Sequence, residues 1–196
     1  MRRFVVIGHR ATTSGNFKLD DLTGGTGRLD VLLRCINSAF FLSHNLRKDV
    51  EVYLILLGPP SPPKTLRFVG SELKYLNPDE RSTGALVRNA LLQKITMEER
   101  CSPGIYASNR SYIDVLTLIS KDSEIVYLKE DGDDIRACSL PENVSFVLSD
   151  DQDLTAEEEE LLMNYSPRKV SVGPVSYHAD HCITIVNNEL DRRLLS

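Results

Sequence analysis

Four stretches of the 196-residue sequence group side chains in ways that can do chemistry. Gly24-Gly25-Thr26-Gly27-Arg28 stands just ahead of an amphipathic run. Free backbone N–H groups at such a helix start attract anions. The stretch follows a polar segment rather than a strand and lacks a Lys-Ser/Thr pair, so it equally suits a flexible helix entry. His178-Ala179-Asp180-His181-Cys182 offers two imidazoles, a carboxylate and a thiol, without the additional spaced ligand a zinc site needs. Asp180 fits the N-cap of a last helix. Cys182 in that helix's first turn would have its thiol acidified by the dipole, with His178 and His181 nearby as bases. The other reading of Cys182 is apolar packing. Asp131-Gly132-Asp133-Asp134 and Asp150-Asp151-Gln152-Asp153 offer carboxylates to a divalent cation. Neither runs on to the closing Glu of a calcium loop, and both have turn-forming composition. No GxSxG or HExxH occurs, and no metal is expected.

The net charge of −5 is unevenly spread. Residues 1–70 carry ten Lys/Arg against five Asp/Glu, whereas residues 121–165 carry three against fourteen. A basic N-terminal part suits an anionic partner such as nucleic acid, and the acidic stretch suits a solvated helix start. The four cysteines, Cys35, Cys101, Cys138 and Cys182, form no CxxC, which points to free thiols in a reducing cytoplasm. No apolar run approaches the ~18 residues of a membrane span. The short run Phe4–Ile7 reads as a first strand and not as a secretory leader.

The elements that must position these groups follow from periodicity. Strands are predicted at Phe4–Ile7, Glu51–Leu57, Glu124–Leu128, Val144–Leu148 and Lys169–Val172. A helix is predicted from Leu29 to about His44, with Leu29, Leu32, Leu33, Ile36, Ala39 and Phe40 on one face. Thr65–Val69 and Glu72–Leu76 around Gly70-Ser71 suit a hairpin. A helix opens at Asn77-Pro78-Asp79 and runs to about Ile95. Tyr112, Val115, Leu116 and Ile119 form another helical stripe. Thr155 and Glu158 make a capping box for a helix to about Tyr165, and Cys182–Leu195 is the last helix. Alternating strands and helices imply an α/β fold around a mostly parallel sheet, in one domain over 1–196. Ligands in such sheets bind beyond the strand ends. Here those ends are Leu128–Gly132, Leu148–Asp151 and Val172–Pro174.

Longer stretches carry a family resemblance. They are Phe4-Val5-Val6, Thr26–Asp30, Asn37–His44, Glu51–Leu54, Gly70–Ser82, Phe146–Leu148, Ser171–Pro174, Asp180–Ile183 and Asn187–Asp191. Through them the chain resembles, over essentially its whole length, the archaeal tRNA pseudouridine-54 N1-methyltransferases of the SPOUT (α/β-knot) superfamily. The resemblance implies a SPOUT-type Rossmann-like sheet with a C-terminal trefoil knot, knot and cofactor loops falling in about 124–196. It also implies a homodimer and S-adenosylmethionine (SAM) as methyl donor. Matched loop by loop, the donor-lining positions are Leu128; Leu148 and Ser149; and Ser171, Val172, Gly173, Pro174, Val175 and Ser176 with Cys182. The family's Leu-Gly-Asp-His run is Leu148-Ser149-Asp150-Asp151 here, where the serine would either crowd the donor or bond it. The implied reaction is methylation of N1 of pseudouridine at tRNA position 54. Sister readings are transfer to an rRNA pseudouridine or a ribose 2′-hydroxyl, or a silent RNA-binding homologue. Removal of the N1 proton calls for a general base, for which Asp30 and Asp150 are candidates; Asp30 also suits a structural pair with Arg28 or another arginine. Arg10, Arg28, Arg34 and Arg81 are candidates for RNA phosphate contacts, and the base is expected to leave its stack.

Overall fold

The computed structural model describes residues 1–194. The eight strands are β1 (Arg2–Gly8), β2 (Val50–Leu56), β3 (Lys64–Val69), β4 (Glu99–Ser102), β5 (Ile105–Ser108), β6 (Glu124–Asp134), β7 (Val144–Ser149) and β8 (Arg168–Ser171). The helices are α1 (Leu29–Phe40), α2 (Glu80–Leu91), α3 (Tyr112–Ile119), α4 (Ala156–Met163) and α5 (Ala179–Arg193). One sheet orders the strands β4-β5-β3-β2-β1-β7-β6-β8. β2, β1, β7, β6 and β8 are parallel neighbours, and β3, β5 and β4 add antiparallel pairs at one side.

β1 explains why its sequence is continuously apolar. Phe4 and Val6 enter a core shared with α1, α2 and α5, whereas Val5 and Ile7 enter a second core with α3 and α4. A strand covered on both faces has no polar side. The phenyl ring of Phe4 stacks on that of Phe146 from β7, with centroids 5.6 Å apart. The capping box predicted for α4 forms, with Thr155 accepting from Glu158 N–H and Glu158 from Thr155 N–H.

Several boundaries differ from expectation. α1 stops at Phe40, because Phe41 turns extended and bridges to Leu46. β3 has no hairpin partner at Glu72–Leu76. Glu72 and Leu73 N–H both return to the Val69 carbonyl, and Leu73 and Leu76 bury themselves from a turn. The antiparallel partners of β3 are β2 and β5. α2 begins after an Asp79 N-cap, not at Pro78, and ends at Leu91. α4 ends at Met163, short of Tyr165. α5 starts at Ala179 behind His178, so Asp180 lies inside the first turn and is not its cap; Leu195 lies outside the described residues. Asp131–Asp134 extend β6 and form no free turn. Leu128 and Asp133 both pair with Val170, so residues 129–132 arch over β8. Gly132 permits this approach, since a Cβ there would sit 2.5 Å from the Val170 nitrogen. Among the described residues no helix is long and apolar enough to cross a membrane.

Candidate functional site

A cavity of about 330 Å³ opens where β6, β7 and β8 end, a size typical of small-molecule sites. Its walls are Tyr127–Glu130 after β6, Leu148–Leu154 after β7, and Val170–Gly173 with Val175–Ala179 after β8. Cys182 from α5 completes the lining. Leu128, Leu148, Ser149, Ser171, Val172, Gly173, Val175, Ser176 and Cys182 thus converge on one space, and Pro174 sits in the same loop beside it. Ser149 donates its hydroxyl to the Gln152 carbonyl and is turned into its own loop. The Ser171 hydroxyl donates to the Gly173 carbonyl at 2.7 Å and accepts the Gly173 N–H at 3.2 Å. Ser176 bonds Glu130 at 2.6 Å, tying the third loop to the first.

The charge here is mostly negative. Glu130, Asp150, Asp151 and Asp153 all line the cavity, and the Ser176 hydroxyl bond holds the Glu130 carboxyl below its usual range. This donor set fits a cationic small molecule, as a sulfonium with an ammonium group is. The expected acidification of Cys182 does not occur. Burial, reinforced by Glu130 and Asp180, pushes its thiol up to about 11, which outweighs the dipole of α5. Among the described residues no group of three or more His, Cys, Asp or Glu is placed to hold a metal.

Beside the cavity, two carboxylates gather three arginines. Asp30, 4% exposed, accepts from Arg28 Nε at 3.0 Å and Arg34 Nη1 at 2.9 Å. Burial pushes its carboxyl up, but the bonds from Arg28 and Arg34 outweigh burial and hold it below the usual range. Asp151 takes Arg10 at 2.7 Å and Arg28 at 3.5 Å on one oxygen. Arg81 is exposed in the first turn of α2, next to Glu80, whose carboxylate lies 3.7 Å from Arg34.

The Thr26–Gly27 end of the glycine-rich stretch is closed by packing, whereas Gly24 and Gly25 are exposed. Thr26 donates its hydroxyl to the Leu22 carbonyl at 2.6 Å, and its own carbonyl accepts the Thr12 N–H at 2.9 Å. Gly27 has φ +65°, and a Cβ there would lie 1.8 Å from the Arg10 carbonyl oxygen. Arg28 follows at φ 68° as the N-cap of α1.

The sequence gives no hint of one further participant, His9. Its Nδ1 lies 2.9 Å from Asp150 and its Nε2 2.9 Å from Glu158. The Asp150 carboxylate accepts from three donors: the His9 ring, the His9 N–H and the Gln152 N–H. Both proposed bases therefore sit in formed bonds, Asp30 with arginines and Asp150 with His9. No local pattern marks His9, because its partners are 141 and 149 residues away.

Known proteins match this chain over nearly its full length. The sequence profile of the family described as "Putative SAM-dependent RNA methyltransferase" matches residues 1–195. A protein of Methanocella arvoryzae named tRNA (pseudouridine(54)-N(1))-methyltransferase is 53% identical over 195 residues, covering 98% of this chain and 100% of that one. A protein of the same name from Haloferax volcanii is 49% identical, covering 97% and 96%. The fold is similar to that of Archaeoglobus fulgidus Nep1 bound to S-adenosylhomocysteine. Its TM-score is 0.68 at 12% identity, with 100% and 99% of the two chains covered. The α/β fold is thus shared with that protein.

Proposed function

This chain belongs to the family of SAM-dependent RNA methyltransferases, and from that premise we propose that it methylates N1 of pseudouridine 54 in tRNA. The observation that carries the proposal is near-full-length identity of about half to relatives of that name. The donor is held in the cavity by the loops at Leu128, Leu148–Ser149 and Ser171–Ser176, with Cys182 below them. SAM supplies an electrophilic methyl on a positively charged sulfur. The carboxylates of Glu130 and Asp153 would help to balance that charge, Asp151 being held by Arg10 and Arg28.

The acceptor chemistry explains the choice of base. Pseudouridine is joined to ribose through carbon, so N1 carries a proton and can be methylated. In uridine, N1 is the glycosidic atom and has none. When bound, the donor would offer its methyl carbon to the N1 lone pair, with sulfur keeping the carbon–sulfur electron pair and water taking up the N1 proton. Such a displacement needs in-line placement above all, and orientation alone supplies ~7–11 kcal/mol in favourable cases. Arg10, Arg28, Arg34 and Arg81 take RNA phosphates, a role supported by the gathering of Arg10, Arg28 and Arg34 beside the cavity and by the exposure of Arg81 on α2.

The proposal includes a C-terminal knot within about residues 124–196, which the family resemblance implies. It includes a homodimer, with exposed Val175 and Tyr177 beside the cavity as the surface a second copy would cover. The site of action is the cytoplasm, where tRNA is the partner. The test is transfer of labelled methyl from SAM to two tRNA transcripts differing at position 54. Incorporation into the pseudouridine transcript alone is expected. Equal incorporation into the uridine transcript would overturn the assignment.

A further inference from the structure

His9 stands where β1 ends and bonds three ways at once. Its backbone N–H donates to Asp150 Oδ2 at 2.8 Å, its Nδ1 is 2.9 Å from Asp150 Oδ1, and its Nε2 is 2.9 Å from Glu158 Oε2. The Asp150 N–H in turn donates to the Ile7 carbonyl at 2.9 Å. The loop after β7 therefore leaves the sheet fastened to the end of β1 by main chain and side chain together. The Asp150 side chain, 1% exposed, also accepts the Gln152 N–H at 3.1 Å, and Ser149 closes the same turn on Gln152. Residues 149–153 of that turn line the cavity. At its far side, Glu158 Oε2 also accepts the Thr155 N–H at 2.8 Å, within the capping box of α4. One imidazole thus joins the end of the central strand, a wall of the cavity and the start of α4.

We propose that His9 is a positioning residue for the methyl donor: its imidazolium, bridging Asp150 and Glu158, holds the 149–153 turn in the shape that closes the donor site, and loss of its proton loosens that turn. The inference rests on the reading of the cavity as the donor site. Both ring nitrogens face carboxylate oxygens. A neutral imidazole has one N–H, so one of the two contacts would set a lone pair against a carboxylate; only the doubly protonated ring donates to both. The bonds to Asp150 and Glu158 outweigh burial and push the His9 pKa up to about 9. The charged groups around it are consistent with this. Asp150 comes from the β7 loop and Glu158 from α4. Arg10 and Arg28 are engaged by Asp151, and burial raises the phenol of Tyr112 from α3. A folded pKa above the ordinary 6.5 means that the stabilisation is complete below about pH 6.5 and is lost as pH rises from there through about 9.

The test is SAM binding to the full chain by titration calorimetry between pH 7 and 10, beside an NMR titration of the His9 ring. For the wild type, affinity should be level up to about pH 8.5 and then fall by up to about tenfold per pH unit, as one proton is lost. His9→Gln should bind SAM more weakly at pH 7 and show no such step, with KM for SAM raised and kcat at saturating SAM little changed. Glu158→Gln removes one negative charge from outside the cavity, and should keep the step but move it to lower pH. Cys182, pushed up to about 11, titrates above this window. A flat wild-type profile, or a folded His9→Gln with wild-type affinity, would overturn the proposal. Should His9→Gln fail to fold, an unmoved step in Glu158→Gln would do so. A wild type that binds no SAM at pH 7 would overturn this inference and the donor-site reading together, whereas binding without the step overturns this inference alone.

Discussion

Alanine in place of each glycine ahead of α1 separates packing from phosphate cradling within a single motif. At Gly27 the backbone lies at φ +65°, a left-handed conformation that costs an L side chain roughly 1–2 kcal/mol. The added Cβ would also lie 1.8 Å from the Arg10 carbonyl oxygen, where ordinary contact begins near 3.4 Å. Since the obstacle is backbone, the 8–12 and 26–29 segments must separate, at a further ~1–3 kcal/mol. The two terms together predict a loss of ~2–5 kcal/mol. At ~2–4 °C per kcal/mol for a chain of this size, the melting temperature should fall by about 4–20 °C. Gly24 and Gly25 differ. Their added Cβ atoms would press on the Asp21 carboxylate, at 3.0 and 2.8 Å, the far end of a flexible side chain that can turn away at the cost of one exposed bond from the Gly24 N–H. Alanine also reduces the entropy of the unfolded chain by ~0.4–1 kcal/mol at a compatible site, so these two variants should stay within about 1 kcal/mol of wild type. Urea unfolding of the three variants is the assay. Gly27→Ala within about 0.5 kcal/mol of wild type, or Gly24→Ala as damaging as Gly27→Ala, would refute the reasoning.

Other outcomes follow from the same geometry. Asp30→Asn should weaken RNA binding more than SAM binding, measured by filter retention and calorimetry, because it releases Arg28 and Arg34. The lowered carboxyl of Asp30 stabilises the fold above its unfolded value of ~3.9 and loses that contribution as pH falls through its folded value. Acid unfolding of Asp30→Asn should accordingly be less steep below about pH 4, and an identical acid limb would contradict this. Cys182, with its thiol pushed up to about 11, should be alkylated by iodoacetamide at pH 7.5 more slowly than a free thiol, and more slowly still with SAM present. SAM at 100 times its dissociation constant should add about 2.7 kcal/mol of stability, read as a melting shift of about 5–11 °C.

What could be read in the sequence had local causes. Strand cores, the Thr155–Glu158 capping box and the three strand-end loops follow from periodicity and composition, and the loops do surround one cavity. What could not be read depended on distant partners. Glu72–Leu76 alternates like a strand, but Leu73 and Leu76 are buried from a turn, and β3 finds β5 instead. The β4–β5 hairpin around Pro103-Gly104 does carry a turn dipeptide as its signal, with Gly104 at φ +75°. Cys182 was placed correctly near a helix start, but burial decides its acidity and is invisible in one dimension. That Asp30 and Asp151 collect Arg10, Arg28 and Arg34 is a tertiary fact. His9 lacked any sequence signal, since both of its acceptors come from the other end of the chain.

The central claim is that this cavity serves methyl transfer to N1 of pseudouridine. Its most direct test is to incubate the protein with SAM and a tRNA transcript bearing pseudouridine at position 54, digest the product, and identify the methylated nucleoside by liquid chromatography and mass spectrometry. N1-methylpseudouridine is expected, one per transcript, from position 54 alone. A methyl group on a ribose 2′-hydroxyl, or on no nucleoside at all, would contradict it.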